Sequence, residues 1–347
     1  MSKRHFYLQW DSTDDCNLKC SHCYHGDENS HVQKKKILNL EEVTSMIDDL
    51  KLTSEKWNMI PRIAISGGEP LMRKDLYKIL EYTQKNQVLT NLLTNGTLLT
   101  KQKAKDIKER GINTLQISLD GNKDTHNKIR KQYFAFDCAI EGIHHATNAQ
   151  IGTVVSMTAT KENKDQFEEV INIAYNAGAD KVAFKTYVPS LELGSNDPLY
   201  LDKYEIYGMI KHTNELTKKY EGKIQVLNSD VLWQILEPSN PIIEKAKKEN
   251  KFVWGCSAGF RSLSVLSDGI VYPCRRLPIE IGHISEGIEK LVVENEVMKN
   301  LRDLNKMKEN TLCDKVAHCR GCRGIAYAVK GDYMAKDPMC YKDLIKK

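Results

Sequence analysis

The chain has 347 residues, 41% hydrophobic and 28% charged. That length implies about two domains with cores that need no disulfide staples, and the composition excludes a mainly disordered chain. A net charge of +5 is too mild for a nucleic-acid binder, and no apolar run approaches the ~18 residues that would mark a membrane span. The first residues are basic and then strandlike, without the apolar core of a secretory signal. The expected location is the cytoplasm.

Short apolar runs then alternate with helical patterns. The expected strands are Phe6–Asp11, Arg62–Ser66, Val88–Thr94, Thr114–Leu119, Gly152–Ala159 and Lys181–Tyr187. Between them, Leu40–Lys56, Leu76–Gln84, Lys101–Arg110, Phe136–Asn148, Lys164–Asn176 and Tyr204–Tyr220 carry apolar residues at helical spacing. Gly111 and Gly178 suit helix stops. Strands alternating with helices imply a parallel sheet. Six units, against the eight of a closed barrel, predict an α/β fold of partial (β/α)6 TIM type. Residues 1–221 form this unit, 222–252 read as a bridge, and 253–347 read as a small Cys-rich domain containing a β-hairpin. Polar residues cluster after the strands, at the end where parallel α/β folds place their sites.

Ten cysteines in a chain of this kind point to metal ligation rather than disulfides. Cys16, Cys20 and Cys23 form a Cys-x3-Cys-x2-Cys run just after the first strand. Three thiolates on one loop can hold three irons of a [4Fe–4S] cube, which normally takes four Cys. Zinc is the alternative, with His22 or His25 completing the set. Cys138 lies in an apparent helix and reads as a small buried hydrophobe. Lys34–Lys36 reads as loop surface.

With Gly67-Gly68-Glu69-Pro70 after strand two, Thr94-Asn95-Gly96 after strand three and Ser118-Leu119-Asp120-Gly121 after strand four, the Cys triplet resembles the radical S-adenosylmethionine (SAM) enzymes. The resemblance covers about residues 5–220. It implies that Cys16, Cys20 and Cys23 bind a [4Fe–4S] cluster whose open iron chelates SAM. Reductive cleavage of SAM then yields a 5′-deoxyadenosyl radical that abstracts hydrogen from substrate. It implies further that His22 lies near the adenine and that Gly67, Gly68, Glu69 and Pro70 approach the methionine amino group. Ser118 and Asp120 would face the ribose or carboxylate side, Thr94 and Asn95 belong to the binding rim, and Arg130 pairs with the methionine carboxylate. Taken alone, Thr94-Asn95-Gly96 and Asp120-Gly121 also read as turns, and Arg130 as part of a solvated basic face.

Six more cysteines follow: Cys256, Cys274, Cys313, Cys319, Cys322 and Cys340. Asp268-Gly269, flanked by apolar residues, signals a hairpin between the first two. This end resembles the auxiliary-cluster extension called SPASM, or its shorter form, twitch. It departs from the full pattern: Asn310 stands where an extra Cys is usual, and Cys319-x2-Cys322 is one residue short. The resemblance implies one or two auxiliary [4Fe–4S] clusters. In the two-cluster arrangement, Cys256, Cys274 and Cys322 hold one and Cys313, Cys319 and Cys340 the other, with Asp314, His318 or His283 available as a further ligand. Zinc at Cys319-x2-Cys322 is again the alternative.

Enzymes with this extension commonly modify peptides. The expected substrate is therefore a ribosomal peptide or protein, with cross-linking, thioether formation, epimerisation or oxidation as outcomes. A low-potential electron donor of flavodoxin or ferredoxin type completes the partners, with no nucleic acid and no membrane. Fifteen residues precede Cys16, so a leader peptide is expected to need a separate carrier or direct docking. Arg275 stands where sulfatase-maturing relatives carry an Asp, which argues against that reaction. The alternative is side-chain chemistry on a tetrapyrrole of the haem pathway. Gln9-Trp10-Asp11 and Cys20-Ser-His-Cys23-Tyr24 resemble that branch as well, and Arg275 and Arg276 can meet propionates. A non-catalytic iron–sulfur or zinc regulator would have no use for Gly67-Gly68-Glu69-Pro70.

Overall fold

The computed structural model describes residues 3–24, 36–249, 251–307 and 313–345. Alternation sorts the first strand, β1 (His5–Asp11). Phe6, Leu8 and Trp10 are fully buried, and the Phe6 ring meets Trp57 edge-on at 5.3 Å. Gln9 and Asp11 line an interior cavity instead. The following strands are β2 (Ile60–Ser66), β3 (Leu89–Thr94), β4 (Thr114–Ser118), β5 (Gly152–Ala159), β6 (Lys181–Thr186) and β7 (Gln225–Leu227). All seven pair in parallel, in sequence order.

The connecting helices are α1 (Leu40–Lys56), α2 (Leu76–Lys85), α3 (Lys101–Glu109), α4 (Lys123–Arg130), α5 (Ala135–Asn148), α6 (Phe167–Asn176) and α7 (Lys203–Lys219). The α1 start is sealed by a capping box between Asn39 and Glu42. The core lies between helices and sheet, where Val43, Ile47 and Leu50 of α1 join Ile63, Ile65, Leu92 and Ile117 of the strands.

This is the expected partial parallel barrel, with three differences. Helix α4 escapes a reading by hydrophobic spacing because Ile129 is its only apolar residue; Asn122 caps it instead, accepting from the Thr125 N–H. The expected bridge is part of the fold: β7 extends the sheet beside β6, and α8 (Pro241–Lys248) follows.

The third difference concerns the C-terminal region, which is not an appended module. Its hairpin, β8 (Ser262–Val265) and β9 (Ile270–Tyr272), forms as expected, with β10 (Gly282–His283) beyond it. Yet β8 pairs in parallel with β1, Tyr7 through Trp10, so one ten-stranded sheet runs through both regions. Helices α9 (Ile288–Val293), α10 (Glu296–Arg302) and α11 (Arg323–Lys330) complete the chain. No described helix is long and apolar enough to cross a membrane.

Removing residues 253–347 would strip β8 from β1 and leave an apolar open edge. Fragment 1–252 is expected to aggregate and to melt well below the full chain, checked by size-exclusion chromatography and thermal unfolding.

Candidate active site and iron–sulfur centres

A cavity of about 860 Å³ opens at the carboxyl ends of the parallel strands. Cys16, Cys20 and Cys23 all line it, as do His22, Gly67, Gly68, Thr94, Asn95, Ser118 and Arg130. The loop that carries the thiols is held by backbone packing. The N–H groups of Gly68 and Glu69 donate to the carbonyls of Thr13 and Asp15. A Cβ on Gly67 would lie 2.4 Å from the Thr13 oxygen, and one on Gly68 2.3 Å from the Asp15 oxygen. The Gly pair is therefore needed first for the close approach of two backbones.

Glu69, Pro70 and Asp120 sit behind the cavity wall. None of their side chains lines the cavity. Glu69 is fully buried; its carboxylate accepts from Thr94 Oγ1 at 2.8 Å and from the Asn95 and Leu71 N–H groups. Burial pushes its pKa up. Pro70 is buried and opens the short 3-10 turn that Glu69 caps. Asn95, fixed by Glu69, reaches Asn17 at 3.0 Å beside Cys16. Asp120, also fully buried, accepts from Arg130 Nη2 at 2.6 Å, His22 Nε2 at 3.3 Å and the Thr158 N–H. Burial opposes its ionisation, but Arg130 and His22 outweigh that and hold the carboxyl well below the usual range. Both motif carboxylates thus brace the groups that face the cavity.

Arg130 also reaches the Cys20 sulfur at 3.5 Å, which places it beside the thiol loop and not on a solvated face. Sequence reading missed Arg73, which donates to the Ser12 and Leu38 carbonyls and lies over Trp10 at 4.9 Å. It also missed Asn163, which ties the Asp120 and Thr158 carbonyls together. An Arg-x-Asp pair directly after the Gly-Gly-Glu-Pro turn is the visible signal for the first; the second has none.

The C-terminal thiols fall into two sets. Cys256 acts on both Cys274 and Cys322. Cys313, Cys319 and Cys340 line a separate small pocket with Leu232, Ile235 and Asp337. Among the described residues, no three His, Cys, Asp or Glu side chains converge closely enough for a single ion. His283 is held by Ser285 and the Asp268 carbonyl. His318 packs against Trp254, outside the small pocket, while Asp314 sits beside Cys313. His25 and Asn310 lie outside the described residues.

The donor chemistry fits iron–sulfur clusters. The Leu18 N–H donates to the Cys16 sulfur at 3.4 Å, and the backbone N–H groups of Arg276, Gly321, Lys342 and Ile325 favour negative sulfur at Cys274, Cys319, Cys340 and Cys322. Such bonds stabilise negative sulfur. Burial above all, with neighbouring carboxylates and thiols, pushes Cys16 up to about 11 and Cys319 and Cys322 up to about 12, so bound metal is what would keep these thiols deprotonated. Cys138 shows no such bond; burial is its largest influence.

A parallel partial barrel with a three-thiol loop at its carboxyl end and two further thiol sets is the architecture of an iron–sulfur radical enzyme. Residues 10–174 match the radical SAM superfamily, and residues 256–323 match the SPASM iron–sulfur cluster-binding domain. The chain is 30% identical to the AdoMet-dependent heme synthase of Methanosarcina barkeri, over 96% of this chain and 95% of that protein. It is 28% identical to the Fe-coproporphyrin III synthase of the same organism, over 96% and 86%. Among solved structures, anSMEcpe with bound AdoMet superposes with a TM-score of 0.74 at 20% identity, covering 97% of this chain and 94% of that one. SuiB of Streptococcus suis gives 0.72 at 15%, covering 97% and 77%. The chain belongs to the radical SAM superfamily and carries a C-terminal SPASM domain. It is an enzyme of SAM, a [4Fe–4S] cluster and auxiliary iron–sulfur clusters.

Two outcomes follow for the site. Burial, with the Arg130 charge, lowers the His126 pKa from 6.5 to about 3, and its Nδ1 accepts the Asp120 N–H at 3.0 Å. Between those values the unfolded chain binds one more proton, so stability falls as pH drops below about 6.5. Denaturant titrations at pH 7 and 5 should show that loss, reduced in His126→Gln. Gly68→Ala drives a Cβ into the Asp15 carbonyl and should displace the thiol loop; reconstituted iron should fall by about four per chain.

Proposed function

We propose that this enzyme oxidises a side chain of a carboxylate-bearing tetrapyrrole, in place of the peptide expected from the sequence. The observation that carries this reading is Arg275. Its guanidinium stands on the cavity wall, 2.5 Å from Asp11 and 5.9 Å from the centre of the Tyr24 ring. The wall around it holds Tyr24, Tyr272, Leu266 and Pro278, a surface suited to a flat apolar body with an anionic edge. Relatives named for haem and Fe-coproporphyrin III, matched along nearly the whole chain, support the same reading. The peptide-bound anSMEcpe and SuiB share the fold at 20% and 16% identity, which carries no substrate.

The cluster and SAM, when bound, would supply a 5′-deoxyadenosyl radical that takes one hydrogen atom from a propionate side chain; loss of carbon dioxide would then leave a vinyl group, with the remaining electron passed to an auxiliary cluster. In this reading Cys16, Cys20 and Cys23 hold the cluster. His22, Gly67, Gly68, Asn95, Ser118 and Arg130 line the space for SAM, with Glu69 and Asp120 fixing them. Arg275 orients the substrate carboxylate. Arg276 belongs elsewhere: it donates to the Thr186 carbonyl and does not line the cavity. Cys256, Cys274 and Cys322 hold an inner auxiliary cluster, and Cys313, Cys319 and Cys340 an outer one. A flavodoxin- or ferredoxin-type donor supplies the reducing electron.

The test is anaerobic incubation of reconstituted enzyme with SAM, reductant and Fe-coproporphyrin III. Substrate-dependent 5′-deoxyadenosine and a lighter porphyrin by mass spectrometry are expected. Arg275→Ala should weaken porphyrin binding about tenfold or more, read as the Soret shift, while uncoupled SAM cleavage persists. No porphyrin binding by the wild type would sink the tetrapyrrole reading and return a peptide as the substrate.

A further inference from the structure

Each set of three thiols has cations beside it, and three of these, Arg130, Lys342 and Arg276, differ in what neutralises them; Arg275, near the inner set, is paired with Asp11. At the N-terminal set, Arg130 is paired with Asp120 at 2.6 Å. At the outer C-terminal set, Lys342 lies 3.5 Å from the Cys313 sulfur and is paired with Asp314. At the inner set the third of these is Arg276. No carboxylate lies within ion-pairing distance of it among the described residues; Asp230 acts only at longer range and is bound by Thr186 and the Leu232 N–H.

The placement of Arg276 is tight. It stands two residues after Cys274, where its backbone N–H favours negative sulfur. Its carbonyl oxygen lies 2.0 Å from where a Cβ on Gly324 would sit, which packs it against the first turn of α11, just after Cys322. One end of the guanidinium donates to the Thr186 carbonyl at the end of β6. Its Nε is buried and has no hydrogen-bond partner. A buried N–H without an acceptor is costly, and an uncompensated cation more so. Both costs are offset if an anionic cluster fills the inner set.

We infer that Arg276 is a positioning residue that raises the reduction potential of the cluster held by Cys256, Cys274 and Cys322. Reduction adds one negative charge to the cluster. A nearby buried cation and an N–H donor stabilise that added charge, and both act strongly where water is scarce. The N-terminal cluster lacks this bias, because Asp120 already answers its cation; at the outer set Asp314 answers Lys342, while Arg320 bears on Cys256 of the inner set and Cys319 of the outer one alike. The inner cluster is then easier to reduce than the N-terminal one, and Arg275, the residue after Cys274, lines the cavity. The inference rests on the assignment of those three cysteines to one cluster and is independent of which substrate fills the cavity.

The test is an anaerobic EPR redox titration of wild type, Arg276→Lys and Arg276→Met, with iron and sulfide measured in each. Arg276→Met is expected to keep its iron and to shift one auxiliary signal to lower potential. Arg276→Lys should recover most of that shift, and the N-terminal signal should not move. An unchanged potential in Arg276→Met at full iron overturns the inference. If that variant loses iron, the wild type decides: an auxiliary signal titrating above the N-terminal one supports the inference, and coincident titration overturns it. Cys322→Ala separates the assignment from the tuning, because it should lose about four irons; full retention overturns the inference through the assignment.

Discussion

The contact on which the site depends is the meeting of two backbones at the ends of β1 and β2. Gly67 and Gly68 come so close to Thr13 and Asp15 that no side chain fits between them. This contact fixes where the loop after β1 starts, and with it the direction of Cys16, Cys20 and Cys23. Arg73 reinforces the same point by donating to the Ser12 carbonyl. The thiols themselves are only partly buried, so their position comes from this clamp and not from packing of their own side chains.

The strand β1 is also where the two halves of the chain are joined. It pairs with β2 on one side and β8 on the other. Phe6, Leu8 and Trp10 anchor it in the core, which leaves Gln9 and Asp11 for the cavity. Asp11 meets Arg275, which follows the inner-set ligand Cys274. A charge from the C-terminal region is thus delivered to the barrel interior through one strand's alternation. The small, partly polar contact expected between separate domains is replaced here by sheet hydrogen bonds.

Much of this was legible in the sequence, for physical reasons. Six strands and six helices carry strong period-2 and period-3.6 patterns, and they lie within a few residues of their expected ends. The cysteine-rich segments were legible because closely spaced cysteines stand out from a chain otherwise poor in them. What stayed hidden was non-local or short. β7 has three residues and too little pattern to see, and the pairing of β8 with β1 joins residues more than 250 positions apart. The direction in which Glu69 and Asp120 point was also hidden, since a motif gives residue type and order but not which way a buried carboxylate turns. The substrate was the weakest inference. The C-terminal cysteine pattern is shared across substrates, and the residue that bears on choice, Arg275, acquires meaning only when Asp11 and Tyr24 are seen beside it.

The same charge logic runs through the whole interior. Buried cations in this chain are answered in one of three ways. Arg130 is answered by a carboxylate, Asp120. Arg320 is answered by the carbonyls of Leu301, Cys256 and Ala258 and by the faces of Phe252 and Phe260, at 4.1 and 4.6 Å. Arg276 has one carbonyl, from Thr186, and a free Nε. Nε is without a hydrogen-bond partner in Arg130, Arg320 and Arg323 as well, so what sets Arg276 apart is a single carbonyl acceptor with no carboxylate at ion-pairing distance among the described residues. The groups that bear on it are Cys322, at the start of α11, then Tyr24, Asp230 and Cys274, just after β9.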